Sequence, residues 1–203
     1  MHAVEVRERP ETLRLARSDE FVHRGRGRTG SGKTLAFSIP IINALNAVPR
    51  SKSAKVLILS PTRELAIQID EAFRQLVEGM KIRTAVVVGG MSETNQLRDI
   101  QAGAEVIIAT PGRLCDYLDR RLIDLSAAST IVLDEADRML DMGFLPDLRV
   151  ILDALPRKRH TMLFSATLGP SVAGLVSSYV RDPEWIAVET CKATAARIDL
   201  FCY

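Results

Sequence analysis

Short runs of apolar and β-branched residues alternate along the chain with segments in which apolar residues recur every three or four positions. The runs are continuous rather than alternating, which is typical of strands covered on both faces of a sheet. They lie at 55–60, 84–88, 106–109, 130–133 and 161–164, with a further candidate at 185–188. The pattern predicts an α/β fold, a mostly parallel sheet with helices on both faces.

Two of the intervening segments show helical spacing most clearly. Their apolar faces are Leu65, Ile69, Phe73 and Leu76, and Leu148, Ile151, Leu152 and Leu155. Parallel sheets of this kind bind their ligands at the carboxyl ends of the strands. The residues that directly follow each predicted strand are therefore the first candidates for chemistry.

The amino-acid composition is that of an ordinary globular protein and excludes few functional classes. The length of 203 residues fits one domain, and 47% hydrophobic with 26% charged residues is ordinary for a globular protein. The net charge of +2 means that any nucleic-acid site must be a local patch. The three cysteines lack metal or redox spacing, and we find neither an apolar run of membrane-span length nor a secretory signal. We predict a reducing, cytoplasmic location and no membrane partner.

The two ends of the chain differ from its middle. Residues 1–23 mix arginine with glutamate and carry little apolar surface, so we predict an atypical N-terminal segment with a short helix. Residues 24–190 hold all the strand and helix patterns and form the predicted domain. The last residues, 191–203, read as the start of a linker.

The segment at 27–34 matches the phosphate-binding pattern G-x-x-x-x-G-K-[ST]. Its residues are Gly27, Arg28, Thr29, Gly30, Ser31, Gly32, Lys33 and Thr34. Glycines let the backbone amides wrap around phosphate oxygens at the start of a helix. Lys33 then supplies a charge at the β- and γ-phosphates, and the Thr34 hydroxyl is a ligand for Mg²⁺. The pattern predicts a site for a nucleotide and magnesium.

An acidic cluster, Asp134-Glu135-Ala136-Asp137, follows the apolar run at 130–133. An acidic residue at a strand end about 100 residues after a phosphate loop is typical of a second nucleotide-site motif. We expect Asp134 to hold Mg²⁺ and Glu135 to orient or activate the attacking water. The alternative is a solvated helix start, where acidic residues are also favoured.

The acidic cluster spells the box that names the DEAD-box RNA helicases, and the chain resembles the first RecA-like domain of that family, in its bacterial form. Four further segments resemble the family's motifs in order and spacing: Pro61-Thr62-Arg63-Glu64-Leu65-Ala66, Gly89-Gly90, Thr110-Pro111-Gly112-Arg113 and Ser165-Ala166-Thr167. The resemblance covers about residues 25–190. It implies a RecA-like P-loop NTPase fold that uses ATP and Mg²⁺, with Lys33 and Glu135 in catalysis.

The resemblance also implies a binding partner, the backbone of RNA, which is held without reading its sequence. The residues implied are Pro61, Thr62, Arg63, Gly90, Thr110, Gly112 and Arg113. Thr62 and Thr110 are also candidates for helix caps, and Gly89-Gly90 for a plain turn. For Asp137, Ser165 and Thr167 the resemblance implies hydrogen bonds that couple the nucleotide site to RNA.

The chain departs from the family pattern in two respects. No glutamine precedes Gln68, so the glutamine motif that reads adenine is absent, and 21–26 is a weak candidate for the strand before the phosphate loop. The family has a second RecA-like domain that supplies arginines to the γ-phosphate, and we expect poor turnover from this domain alone.

Two alternative functions stay open. One is a stand-alone module that binds nucleotide and RNA without effective turnover. The other, less well supported, is another P-loop ATPase.

Overall fold

The computed structural model describes residues 2–6, 32–180 and 183–187, which form one seven-stranded sheet and seven helices. The strands are β1 (His2–Val6), β2 (Val56–Leu59), β3 (Thr84–Val87), β4 (Val106–Ala109), β5 (Thr130–Leu133), β6 (His160–Ser165) and β7 (Pro183–Ala187). The helices are α1 (Lys33–Asn46), α2 (Arg63–Leu76), α3 (Glu93–Gln101), α4 (Pro111–Asp119), α5 (Ala136–Asp141), α6 (Leu145–Ala154) and α7 (Pro170–Tyr179). The predicted strands are confirmed, with ends shifted by one or two residues.

The strands lie in the order β3-β4-β2-β5-β6-β1-β7. Each neighbouring pair from β3 to β6 is parallel, so the mostly parallel sheet is confirmed. At the end of β2, Leu59 lies between Ala109 of β4 and Leu133 of β5. The carboxyl ends of these five strands therefore form one continuous edge.

The sheet has a buried core on each face, because successive residues of a strand point to opposite sides. In β2, Leu57 and Leu59 join one core cluster and Val56 and Ile58 join the other. The second cluster is covered by α1 and α2, and the first is covered by α4, α5, α6 and α7. The prediction of helices on both faces is confirmed.

Both predicted apolar helix faces are confirmed by their packing. In α2, Ile69 and Phe73 are buried, and Leu65 and Leu76 pack partly buried against the same core. The second set, at the face of α6, is buried throughout: Leu148, Ile151, Leu152 and Leu155.

The prediction of a short helix in residues 1–23 is wrong for His2–Val6, which forms strand β1. This strand runs antiparallel to both neighbours, with Ala3 opposite Phe164 of β6 and opposite Ile186 of β7. Backbone partners on both sides outweigh the local pattern of charges, which had suggested a helix. The weak strand candidate at 21–26 and the linker at 191–203 lie outside the described residues.

Candidate nucleotide and nucleic-acid site

The candidate segments all follow parallel strands and therefore meet at one edge of the sheet. The strand order divides them into two groups. Segments after β3, β4 and β2 lie side by side, and they are the ones predicted to hold RNA. Segments after β5 and β6 are the next neighbours, and they are the ones predicted to act on nucleotide.

The start of α1 forms one wall of the nucleotide half. Gly32, the N-cap of this helix, has φ 65°, a left-handed conformation that glycine adopts without a steric penalty. Lys33 is the first residue of the helix, and Thr34 is the second. One turn further on, the buried ring of Phe37 packs on Phe164 of β6 with 5.6 Å between ring centroids, which fixes the helix on the sheet. Residues 27–31 of the predicted phosphate loop lie outside the described residues.

Asp134 lies directly opposite Lys33. The Lys33 Nζ atom is 3.7 Å from Asp134 Oδ1, and the carboxylate is almost fully buried, with 4% of the side chain exposed. Burial raises the pKa of Asp134, and the nearby Lys33 ammonium opposes that rise by favouring the charged form. Sequence reasoning predicted that these two residues act at one site, and the structure brings them together.

Glu135 has an unusual backbone conformation, with φ 52° and ψ 52°. Among the described residues only Arg121 and Glu135 have positive φ without being glycine. A left-handed residue with a side chain costs about 1–2 kcal/mol, and such strain is often kept at functional positions. The carboxylate is partly exposed and accepts a hydrogen bond from Arg138 Nη1 at 3.1 Å.

Asp137 connects the loop after β5 to the loop after β6. Its Oδ2 atom accepts two hydrogen bonds from Thr167, from the backbone N–H and from the hydroxyl, each at 3.0 Å. The hydroxyl of Ser165 donates to the carbonyl of Thr167 at 2.6 Å and also helps to lower the pKa of Asp137. The expected hydrogen bond to Asp137 is therefore present for Thr167, while the Ser165 hydroxyl lies within 2.6 Å of the Thr167 carbonyl.

We predict that Thr167→Val destabilises the fold in a pH-dependent way. Partial burial raises the pKa of Asp137, but the hydrogen bonds from Thr167, from the Arg138 N–H and from Ser165 together outweigh it, and the net pKa is lowered. A lowered carboxyl pKa contributes stability above the unfolded pKa of about 4, and that stability is lost as the pH falls through the folded pKa. Because Thr167 is exposed and Asp137 is only partly buried, solvent weakens this interaction. We therefore expect a cost of about 0.5–1 kcal/mol at pH 7 that shrinks below pH about 4.

Urea unfolding of the wild type and the variant at a series of pH values measures this difference. Ser178→Ala is the control, because the Ser178 hydroxyl donates to a carbonyl, that of Gly174, which does not titrate. Its cost should be the same at every pH. A Thr167→Val deficit that does not change with pH would contradict the proposed link to Asp137.

The segment after β2 is positioned by α2, which it begins, and by its contact with the turn at Gly90. Thr62 is the N-cap of α2, and its hydroxyl accepts a hydrogen bond from the Leu65 N–H at 3.3 Å. Arg63 lies against Gly90, which has φ +74°, and a Cβ atom there would be 3.0 Å from Arg63 Nη1. The structure thus brings together two segments that lie 27 positions apart in the sequence.

The segment after β4 begins α4. Thr110 is the N-cap of α4 and Pro111 starts the helix, so the predicted helix entry is confirmed, although the Thr110 side chain makes no capping hydrogen bond. Gly112 has room for a side chain, since a Cβ atom would meet only Phe144 at 3.9 Å. The guanidinium of Arg113 lies 3.3 Å from Asp116 Oδ2 and 5.7 Å from the centre of the Tyr117 ring.

Comparison with known proteins fits this geometry. The family model described as DEAD/DEAH box helicase matches residues 11–175. The chain belongs to the DEAD/DEAH box helicase family.

The relatives of this DEAD-box domain include bacterial RNA helicases. It is 38% identical to the ATP-dependent RNA helicase CshA of Listeria monocytogenes, over 87% of this chain and 34% of the relative. It is 43% identical to the ATP-dependent RNA helicase RhlB of Xanthomonas axonopodis pv. citri, over 86% of this chain and 32% of the relative. The chain thus spans about a third of the length of these relatives.

Two solved structures share the fold of this DEAD-box domain. The yeast splicing factor Prp28 matches with a TM-score of 0.74 and 34% identity, over 81% of this chain and 41% of that one. A DEAD box protein from Methanococcus jannaschii matches with a TM-score of 0.69 and 35% identity, over 77% and 42%. The predicted RecA-like fold class is therefore confirmed.

Sequence reasoning missed four residues of the DEAD-box domain that connect α3 to α4, beside the segments predicted to hold RNA. Glu93 of α3 accepts two hydrogen bonds from Arg120, at 2.6 and 2.8 Å, and lies 3.7 Å from Arg113. Gln96 and Tyr117 are buried and hydrogen-bonded to each other at 3.1 Å. In the sequence these residues look like ordinary surface positions of polar helices, and only their tertiary partners distinguish them.

The nucleotide half of the DEAD-box domain offers oxygen ligands for a hard cation. Within the described part of the chain we find no cluster of three or more His, Cys, Asp or Glu side chains that would form a protein-only metal cage. Mg²⁺ commonly takes one or two protein ligands and completes its shell with phosphate oxygens and water. A buried carboxylate at Asp134 beside the hydroxyl-bearing start of α1 fits that kind of site.

Two further findings concern the helices and one cysteine of the DEAD-box domain. No helix among residues 32–180 is both long and apolar enough to cross a membrane. Cys115 is buried, and burial raises the pKa of its thiol to about 12, so this thiol stays protonated and unreactive at neutral pH. The other two cysteines lie outside the described residues.

Proposed function

We propose that this chain is the ATP-binding domain of an ATP-dependent RNA helicase, which couples ATP binding and hydrolysis to RNA binding and local unwinding of duplexes. One observation carries the proposal. The Lys33–Asp134 pair lies at the same sheet edge as the segments after β2, β3 and β4, next to them in strand order. A nucleotide and an RNA strand would therefore bind to adjacent halves of one rigid edge.

In the nucleotide half, the pattern at 27–34 would bind the phosphates of ATP, and Lys33 would contact the β- and γ-phosphates. Thr34 and Asp134 would hold Mg²⁺, which neutralises charge on the phosphates. Glu135 orients and activates the water that attacks the γ-phosphate. Asp137 and Thr167 would couple this half to RNA binding, and their hydrogen bonds hold the loops after β5 and β6 together within the nucleotide half.

In the RNA half, hydroxyls, amides and arginines contact phosphate and ribose without reading bases. The residues proposed to do so are Pro61, Thr62, Arg63, Gly90, Thr110, Gly112 and Arg113. The start of α4 leaves its first backbone amides without helical partners, and the left-handed turn at Gly90 lies at the same sheet edge. Such contacts predict similar affinity for different RNA sequences.

We further propose that this domain, residues 24–190 with β1 added to its sheet, works in the cytoplasm with a second RecA-like domain. The relatives are about three times as long as the matched region, which leaves room for such a domain in them. A positioned arginine contributes about 10³–10⁵ in the rate of phosphoryl transfer. The alternative function is a stand-alone module that binds nucleotide and RNA and, without that arginine, turns ATP over poorly.

The function is tested by titrating the chain with a fluorescent ATP analogue and with single-stranded RNA and DNA of several sequences. We expect Mg²⁺-dependent nucleotide binding, RNA binding that is independent of sequence, and a salt dependence that reports phosphate contacts. An absence of nucleotide binding, or a strong preference for one RNA sequence, would overturn the proposal.

We predict that Gly90→Ala weakens RNA binding by about 5-fold or more. Alanine at φ +74° is strained, and its Cβ would be 3.0 Å from Arg63 Nη1, so the arginine has to move. Fluorescence anisotropy with a short single-stranded RNA measures the effect.

Gly89→Ala is the matched control. Gly89 is the neighbouring residue, is not among the glycines with positive φ, and a Cβ there would meet no atom within 4 Å. The RNA affinity of the Gly89→Ala variant should stay close to that of the wild type. Equal affinities for the two variants would exclude Gly90 from the RNA site.

A further inference from the structure

Helix α3 buries one side chain, and it is polar: Gln96, with 3% exposed. A buried amide costs free energy unless its donors and acceptor are paired. Gln96 Nε2 donates to the carbonyl of Val88 at 2.9 Å, and its Oε1 accepts from the Val88 N–H at 3.3 Å. The side-chain amide therefore pairs with both backbone groups of one residue.

Val88 is the residue at which the backbone leaves the sheet. Strand β3 lies at the edge of the sheet and ends at Val87, whose carbonyl still accepts a hydrogen bond from Thr110 at 3.1 Å. The next two residues are Gly89 and Gly90. The amide of Gln96 thus holds the backbone at the last point before the glycine turn.

The third hydrogen bond of Gln96 leads to α4. The hydroxyl of the buried Tyr117 donates to Gln96 Oε1 at 3.1 Å. The same Tyr117 ring lies beneath the guanidinium of Arg113, one turn closer to the helix start. A continuous chain of contacts therefore runs from the glycine turn through Val88, Gln96 and Tyr117 to Arg113.

We propose that Gln96 is a positioning residue of the RNA site, which fixes the Gly89-Gly90 turn relative to the start of α4 so that the two segments present one surface. This inference rests on the proposed RNA-binding function. Gln96 is too deeply buried to touch RNA, so it acts through Val88 and Tyr117. Strand β3 has a neighbouring strand on one side only. Just past its end, the Gln96 side chain therefore supplies the hydrogen bonds to Val88 that a second neighbouring strand would otherwise supply.

The test compares Gln96→Leu with Thr84→Val. Gln96→Leu keeps most of the volume and removes all three hydrogen bonds. Thr84→Val removes two hydrogen bonds at the other end of the same strand, where the Thr84 hydroxyl donates to Asp70 at 2.5 Å and accepts from Arg74 at 3.1 Å. We expect Gln96→Leu to weaken single-stranded RNA binding by about 10-fold and Thr84→Val to change it by less than about 2-fold. Affinity for the ATP analogue should be unchanged in both.

Tyr117→Phe is the second variant, in case Gln96→Leu does not fold. It keeps the ring beneath Arg113 and removes one hydrogen bond, and we expect RNA binding to weaken by about 2–4-fold. If both variants fold, their effects should be less than additive in the double variant, because they break the same chain of contacts.

The outcomes separate this inference from the proposed function. If the wild type binds no RNA, or if Arg113→Ala leaves RNA binding unchanged, the assignment of the RNA site itself fails. If the wild type binds RNA and Arg113→Ala weakens it, while Gln96→Leu and Tyr117→Phe behave like Thr84→Val, the positioning role is overturned. Selective loss of RNA affinity in the Gln96 and Tyr117 variants supports it.

Discussion

Replacing Lys33 by alanine is expected to lower the affinity for ATP by on the order of 100-fold or more, because the variant loses a charge aimed at phosphate in a partly buried site. Lys33 is the first residue of α1, and its ammonium faces the buried carboxylate of Asp134. Its side chain packs in neither core cluster, so the fold should persist. Titration of a fluorescent ATP analogue, with circular dichroism of both proteins, measures the two effects.

Lys81→Ala is the matched control for this change. Lys81 is exposed and precedes β3, so it lies toward the opposite edge of the sheet, and its removal changes the net charge equally. Nucleotide affinity in this variant should match that of the wild type. If Lys33→Ala binds the analogue as tightly as Lys81→Ala, the phosphate site is not at the start of α1.

Replacing Glu135 by glutamine is expected to slow ATP hydrolysis by about 100-fold or more while leaving nucleotide affinity essentially unchanged. Glutamine has nearly the same shape but lacks the basicity needed to take a proton from water. Because turnover by this domain alone is expected to be slow, hydrolysis is followed with protein in excess over labelled ATP until one turnover is complete. Hydrolysis at the wild-type rate would show that another group activates the water.

The strained backbone at Glu135 supplies a second test of the same role. Glycine adopts a positive φ without a penalty, so Glu135→Gly should be more stable than Glu135→Ala by about 1 kcal/mol and should still lose hydrolysis. Arg121, with φ 56°, is the control for backbone strain. Arg121→Gly should relieve similar strain and hydrolyse ATP like the wild type. Activity retained in Glu135→Gly would mean that the carboxylate is not needed.

The elements of the domain could largely be predicted from the sequence. Buried parallel strands are nearly continuous apolar runs, and the helices that cover them show a repeat of three to four residues. Both signals are local, so runs such as Thr130–Leu133 and faces such as Ile69 and Phe73 were found close to their observed bounds. The phosphate-loop pattern and the acidic cluster are also local, because their spacing follows from the chemistry of phosphate and magnesium.

The sequence failed where the partner of a residue is distant. The charges of residues 1–23 suggested a helix, yet His2–Val6 is a strand because β6 and β7 supply hydrogen-bond partners on both sides. Gln96 resembles any polar residue of an exposed helix, and its burial depends on Val88 and Tyr117. Long-range pairing and the burial of polar groups cannot be read from neighbouring residues alone.

By itself, the sequence determined that each candidate segment follows a strand, and it predicted which residues carry chemistry, because both signals are properties of short segments. Only the tertiary structure decided their arrangement. The order β3-β4-β2-β5-β6 inserts β4 between β2 and β3, so the three segments predicted to hold RNA become neighbours and the acidic cluster lies beside them. The physical reason is that strand order is set by packing and hydrogen bonding across the whole sheet. The order of the strands along the chain, β2, β3, β4, β5, therefore does not reveal their order in the sheet.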